Sequence, residues 1–386
     1  MSRYYSYLNN SKAVVESFKG DIPLAVHLKQ FFAARNQMGS KDRKEVSAMV
    51  YQYYRLGNAV NVPFQERMIV ALFLCRQQSS ELLQLLKPEW NKQIALPLME
   101  KISFLLPNFA QYIFPFIEDV DHQIEPESFC LSHLVQPDLF IRIRPKHELS
   151  VKSKLLEEGI SFNEMDDYCL SLPNTTSLDN VLQIDKQVVI QDYASQQIAQ
   201  FLHQLNNVKS VWDCCAASGG KSILAVDVLG KIDLTLSDVR PTIIANLRKR
   251  LNAAGINQHK VFSADITKRV KELNGEKFDL IICDAPCSGS GTWGRTPENL
   301  VSIKRESISQ YAKLQKAIVH NAIAYLSAKG YFLYITCSVY RAENEEVVDY
   351  ISTHFPRLKL VKKQLIEGYK TKADTMYAAL FKNSGG

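Results

Sequence analysis

Between residues 191 and 386, short apolar runs alternate with longer stretches of helical periodicity. The runs are Ser210–Asp213, Asp233–Ser237, Lys260–Ser263, Phe278–Cys283 and Tyr331–Thr336. The helical patterns between them include Lys221–Leu229, Pro241–Ala254 and Ile308–Leu326. This alternation predicts an α/β domain with a mostly parallel, doubly wound sheet. Such sheets hold ligands outside the carboxyl ends of their strands. The residues that end each run are therefore the ones to question about function.

The chain has 386 residues, enough for two or three domains. Residues 1–125 read as helical. In Lys41–Asn58, Val46, Met49, Val50 and Tyr53 fall at helical spacing, with Ser40 as the expected N-cap. Arg67–Arg76 and Ser80–Leu86 continue the helical pattern, and Pro107, Pro115 and Pro126 are expected to break up the chain beyond them. Residues 126–190 change character. Leu139–Ile143 reads as a strand stopped by Pro145, Val151–Glu158 as a helix and Tyr168–Leu172 as a strand, which makes a small α/β module. Three domains are expected: 1–125, 126–190 and 191–386.

Composition is that of an ordinary globular protein, with 46% hydrophobic and 22% charged residues. No apolar run approaches the roughly 18 residues of a membrane span. The start, MSRYYSYLNNSK, has no apolar core of signal-peptide type, so a cytoplasmic protein is expected. The net charge of +6 gathers mainly in the last segment, a weak pointer to a polyanion. Eight cysteines are present, none in a CxxC pair or in a Cys/His group of zinc spacing. No metal and no disulfide framework is expected.

The first run ends in Asp213-Cys-Cys-Ala-Ala-Ser-Gly-Gly-Lys-Ser222. Small residues there let a ligand approach the backbone, and a helix directly after them offers its amides. Gly220-Lys221-Ser222 fits the end of a phosphate-binding P-loop, but Cys215 stands where that motif needs its first glycine. A methyltransferase cofactor loop fits equally well on this segment alone. The second run favours the latter. It ends in Asp238, placed about 20 residues after the glycines as a ribose-binding carboxylate would be. The third ends in Asp265, suited to an adenine amino group. Each could also cap the next helix, but together they favour a nucleoside cofactor.

The fourth and fifth runs deliver Cys287, in Asp284-Ala-Pro-Cys-Ser-Gly-Ser-Gly-Thr292, and Cys337, in Thr336-Cys-Ser338. Lone cysteines are usually small core residues. Two at strand-end loops suit covalent attack on a pyrimidine. A thiolate that adds to C6 of cytosine makes C5 nucleophilic enough to accept a methyl group. Geometry alone does not say which of the two attacks.

These segments resemble the NOL1/NOP2/Sun family of RNA cytosine-5 methyltransferases. The matching stretches are VIQDYASQ at 189–196, the 213–222 loop, DAPCSGSGT at 284–292, Gln315, and ITCSVYRAENEEVV at 335–348. The two cysteine motifs, 50 residues apart, are the most specific. Residues 126–190 resemble the family's small RNA-facing domain. The stretch from Gly39 to Tyr51 resembles the NusB-like helical domain of the RsmB-type 16S rRNA members. The resemblance implies a class I, Rossmann-like methyltransferase domain with S-adenosylmethionine as cofactor. It implies that Cys215, Ala216, Ala217, Ser218, Gly219, Gly220, Lys221, Asp238, Asp265 and Asp284 face the cofactor or active site. Cys337 would attack C6, Cys287 would assist release, and Asp284 would bind the base with Lys221 nearby. Three departures stand out. The family usually has proline where Ser218 stands, so a looser loop is expected. Trp293-Gly-Arg295 replaces two adjacent arginines, and an aromatic pair is replaced around Met376-Tyr377. The last two are expected to alter RNA contacts more than the reaction.

The sequence therefore predicts a monomeric enzyme that methylates C5 of cytosine in RNA, with rRNA favoured over tRNA. A P-loop-like nucleotide hydrolase is opposed by Cys215 and Asp238. A non-catalytic RNA-binding assembly factor need not have kept both cysteines and all three acids.

Overall fold

The computed structural model describes residues 3–35, 37–105 and 109–385. Two compact units result, and the chain passes between them more than once. One gathers the chain up to Glu118 with Ile124–Gln136 and Trp293–Lys304; the other holds Asp119–Gln123, Pro137–Thr292 and Arg305 onward. Among the described residues no helix is long and apolar enough to cross a membrane.

The first unit is helical, with Arg3–Ser17, Leu24–Ala33, Ser40–Arg55 and Phe64–Cys75 as its longest helices. Val46, Met49 and Val50 are fully buried as their spacing predicts, but Tyr54 and not Tyr53 completes the buried stripe. Ser40 is not the N-cap. Gly39 caps the helix, and the Asp42 carboxylate accepts its backbone N–H at 3.2 Å. Ser80 does cap Glu81–Leu86 through its hydroxyl. Pro126 does not interrupt a helix but opens one, Pro126–Ser132, where its missing N–H costs nothing. Pro107 lies outside the described residues. The segment Trp293–Lys304 also belongs here. Trp293 is 1% exposed, with its ring 5.2 Å from that of Phe114, and Glu298 accepts the Leu24 N–H at 3.2 Å. The tryptophan expected to change RNA contacts is thus a core residue.

The second unit contains two sheets. The smaller one is antiparallel and comprises β1 (Leu139–Ile143), β2 (Asn163–Glu164), β3 (Cys169–Leu172) and β4 (Val188–Ile190), in the order β2-β3-β1-β4. Ile141, Ile143, Leu170 and Leu172 pack against Val151 and Leu155 of the helix Glu148–Glu157.

The larger sheet has seven strands. These are β5 (Ser210–Asp213), β6 (Asp233–Asp238), β7 (His259–Ser263), β8 (Phe278–Asp284), β9 (Leu326–Thr336), β10 (Leu358–Ile366) and β11 (Met376–Asn383). Their order is β10-β11-β9-β8-β5-β6-β7. The pairs β5/β6, β5/β8, β6/β7 and β8/β9 are parallel, as the sequence predicts. The antiparallel β10 and β11 were not among the strand candidates. The chain winds outward in both directions from β5 and β8, so the crevice beyond their carboxyl ends is where a ligand belongs.

Candidate active site

The loop after β5 is fastened at nearly every residue. The Ala216 N–H reaches the Ser237 carbonyl at 2.9 Å, and the Ala217 N–H reaches the Asp238 carboxylate at 3.0 Å. Gly219, at φ 84°, turns the chain into the helix Gly220–Leu229, and a Cβ there would come within 2.5 Å of Leu247 Cδ1. The looser loop expected from Ser218 is not found. Arg250 donates to the Ser218 carbonyl at 2.8 Å and to its hydroxyl at 2.9 Å. Ala217 sits at φ 45°, a conformation ill suited to a residue before proline, so serine matches the local backbone. Ser222 is fully buried and gives its hydroxyl to Asp213, whose carboxyl is pushed up to about 7 by burial. A P-loop would need that hydroxyl free for Mg²⁺.

Seven of the expected residues line one cavity of about 300 Å³: Ala216, Ala217, Ser218, Gly220, Lys221, Asp284 and Cys337. The Lys221 ammonium meets the Asp284 carboxylate at 2.7 Å. Burial opposes the lysine's charge, yet the Asp284 charge and hydrogen bond outweigh it and raise the lysine above its ordinary value. Cys215, Gly219, Asp238, Asp265 and Cys287 do not line this cavity. Gln191, Asp192, Ser195, Arg250 and Asp374 do, and sequence reasoning did not single them out as contacts; Met376, expected to bear on RNA contacts, lines it too. The first three lie inside the VIQDYASQ stretch, which was a signal; Arg250 and Asp374 carried none.

Asp238 is 5% exposed, and both its oxygens are occupied. One accepts the Arg240 backbone and Nε at 2.9 Å each; the other accepts Ala217 and Arg240 Nη2. Burial would raise its pKa, but the Arg240 bonds win and hold it below the usual carboxylate range. Asp265 is exposed and accepts the Thr267 N–H at 3.0 Å and hydroxyl at 2.6 Å. Its carboxylate thus closes a local turn.

The two cysteines meet. β8 and β9 are adjacent, and Cys287 Sγ lies 3.3 Å from Cys337 Sγ. The hydrogen bond to Cys337, reinforced by burial, pushes the Cys287 thiol well up. Beneath them Glu343, fully buried, ties the two loops together. It accepts the Ser288 N–H at 2.8 Å, the Ser288 and Ser338 hydroxyls at 2.5 Å, and Gln315 Nε2 at 3.1 Å. Gln315 also donates to the Pro286 carbonyl at 3.0 Å. Gly291 completes the junction. Its N–H reaches the Cys337 carbonyl and its carbonyl takes the Thr375 N–H, both at 2.8 Å. A Cβ at 291 would stand 1.9 Å from the Thr375 carbonyl oxygen. Gly291→Ala must therefore force the Cys287 loop away from Thr375, and with it from the Cys337 carbonyl 3.0 Å from the added Cβ. We expect turnover to fall by about a hundredfold, as for an ångström-scale misplacement, while the fold survives by circular dichroism.

No metal-type cluster was expected from spacing. Yet the sulfurs of Cys214, Cys215 and Cys283 lie within 4.8 Å of one another, because β5 and β8 are neighbours in the sheet. Hydrogen bonds from Cys214 and Cys215 lower the Cys283 thiol to about 6.

Residues 199–382 match the family model described as 16S rRNA methyltransferase RsmB/F. Ribosomal RNA small subunit methyltransferase B of Proteus mirabilis is 28% identical over 231 residues, which cover 58% of this chain and 53% of that protein. The mouse tRNA (cytosine(72)-C(5))-methyltransferase NSUN6 is 31% identical over 196 residues, 48% of this chain and 40% of the mouse protein. The matches thus span about half the length of these relatives. The crystal structure of PH0851 shares the fold, with a TM-score of 0.72 over 98% of both chains at 19% identity. Residues 199–382 thus form a methyltransferase domain of the RsmB/F type, built on the seven-stranded sheet and dependent on S-adenosylmethionine.

Proposed function

We propose that this protein methylates C5 of a cytosine in RNA, with 16S rRNA as the substrate and Cys337 as covalent nucleophile. One observation carries the reading: of the two touching cysteines, only Cys337 lines the cavity that the 216–221 loop and the Lys221–Asp284 pair also line. The same cavity has small residues along one wall, as close approach of a nucleoside-bearing cofactor requires. The family model's own description favours rRNA. The protein acts on it as a monomer in the cytoplasm.

The residues have distinct tasks. Asp284 accepts a hydrogen bond from the exocyclic amine of the target base, and the Lys221 ammonium, 2.7 Å away, holds that carboxylate in place. Cys337 Sγ adds to C6, and the electrons of the C5–C6 double bond become available at C5. Bound S-adenosylmethionine supplies an electrophilic methyl group, which C5 takes from the sulfonium. A base then removes the C5 proton, the double bond re-forms and the Cys337–C6 bond breaks. Cys287, held as a thiol beside Cys337, returns a proton to the departing sulfur. Ala216 to Lys221 cradle the cofactor. Asp238 turns to the ribose hydroxyls when the half-exposed Arg240 moves aside, and Asp265 faces the adenine.

The test is calorimetry with S-adenosylhomocysteine and with ATP, followed by methyl transfer to 16S rRNA. Binding of the former alone, with transfer, supports the proposal. ATP binding in its place would make the protein a nucleotide hydrolase. Cofactor binding without transfer to any RNA would leave a non-catalytic factor. Within this scheme Asp238→Ala loses a charged acceptor worth roughly 1.5–3 kcal/mol, so cofactor affinity should fall roughly ten- to hundredfold by calorimetry. An unchanged affinity in folded Asp238→Ala would remove Asp238 from the site.

A further inference from the structure

The cofactor loop and the small antiparallel sheet are joined through one side chain. Arg250 leaves the last turn of the helix Pro241–Ala253 and reaches the cavity wall. Its Nη1 holds the Ser218 carbonyl and hydroxyl, while its Nε and Nη2 form a two-pronged pair with Asp185 at 2.9 and 2.7 Å. Arg250 is 18% and Asp185 9% exposed along their side chains, so solvent screens the pair little.

Asp185 is itself fixed. It sits at φ 63° in the turn that leads into β4, with its N–H bonded to the Val188 carbonyl at 2.7 Å. Arg144, just after β1, grips the same turn through the Asp185 carbonyl at 2.9 Å and the end of the helix Pro241–Ala253 through the Ala254 carbonyl at 2.6 Å. Arg142 and Arg144 also share Asp227, on the helix that the cofactor loop opens. The small sheet therefore holds both helices that flank the loop, and the Arg250 contact extends this hold to the loop backbone. A planar guanidinium with four directed bonds fixes orientation as well as distance.

We propose that Arg250 is a positioning residue that sets the geometry of the cofactor loop at Ser218, with Asp185 as its anchor on the small sheet. Serine at 218 gives Arg250 a hydroxyl acceptor that proline lacks. Left without Arg250, the Ser218 carbonyl and hydroxyl lose their shared donor, and the loop would be held there on the cofactor only at an added energetic cost. Cofactor binding should therefore weaken with little effect on the chemical step.

The inference rests on the cofactor reading above, and the experiment separates the two. S-adenosylhomocysteine affinity is measured by calorimetry for the wild-type chain, Arg250→Ala, Arg250→Lys, Asp185→Asn and Ser218→Ala. Steady-state constants for S-adenosylmethionine and RNA are measured alongside. We expect Arg250→Ala to weaken binding about tenfold or more, as for loss of a charged hydrogen bond. Arg250→Lys, Asp185→Asn and Ser218→Ala should be intermediate. The KM for S-adenosylmethionine should rise in parallel, with kcat at saturating cofactor and the KM for RNA within about twofold. A merely structural ion pair would lower the melting temperature and the active fraction, leaving the cofactor KM unchanged. That pattern overturns the proposal, as does an unchanged affinity in Asp185→Asn and Ser218→Ala if Arg250→Ala fails to fold. A wild-type chain that does not bind S-adenosylhomocysteine sinks both readings.

Discussion

Cys287→Ala should remain covalently attached to its RNA, whereas Cys337→Ala should form no adduct at all. The two sulfurs are 3.3 Å apart, so either could reach a base held between their loops. Their surroundings separate them. The bond to Cys337 and burial push the Cys287 thiol well up, and of the two only Cys337 lines the cavity with Lys221 and Asp284. A nucleophile must be the thiolate. Removing Cys337 abolishes the C6 bond and, with it, activation of C5, so methyl transfer should drop below detection. Removing Cys287 leaves attack and transfer intact but withdraws the proton that lets the sulfur depart. One denaturing gel with labelled RNA and both variants reads the difference. A band of slow mobility with Cys337→Ala and none with Cys287→Ala would reverse the assignment. Methylation by both variants without any adduct would end the covalent mechanism.

Glu343→Ala should be nearly as damaging, although Glu343 touches no substrate. Its carboxylate takes four donors from Ser288, Ser338 and Gln315, and so joins the loop of Cys287 to that of Cys337. Some of the hydroxyls can re-pair, since Ser290 and Ser338 lie 3.1 Å apart. The Ser288 N–H cannot, and the Gln315 amide keeps only its bond to the Pro286 carbonyl; each buried N–H left over costs about 1–3 kcal/mol. A total of roughly 2–5 kcal/mol lowers the melting temperature by about 5–15 °C. Turnover should fall about a hundredfold or more, because the cysteines lose their mutual spacing. Glu343→Gln should sit between, since it keeps the acceptor for Ser288 but brings a second donor among donors. Calorimetric melting and single-turnover methylation check both. Wild-type turnover in Glu343→Ala would mean that the loops hold their register unaided.

The parallel strands were legible because each is a short apolar run ended by polar or small residues. The strand-end positions then led to Ala216, Lys221, Asp284 and Cys337, which the cavity brings together. β10 and β11 were not legible. β10 carries Lys359, Lys362 and Lys363 along a sheet edge, which masks any period, and such lysines blunt an edge against further pairing. β11 is a central strand with two alanines, weak markers of strand. Trp293 misled because local sequence cannot show that the chain after Thr292 enters the helical unit. The contacts of Arg250 with Asp185 and Ser218 span 65 and 32 residues, and the three clustered thiols depend on β5 lying beside β8. Pairings of that kind appear only when the topology is known.

The central claim is that the methyl group goes to C5 of cytosine through a C6 adduct. Release of tritium from RNA labelled at cytosine C5 tests it most directly. The account predicts tritium in water in step with methyl incorporation, one for one, and neither process with Cys337→Ala. Methyl incorporation with the tritium retained would place the methyl group elsewhere on the RNA and contradict the account.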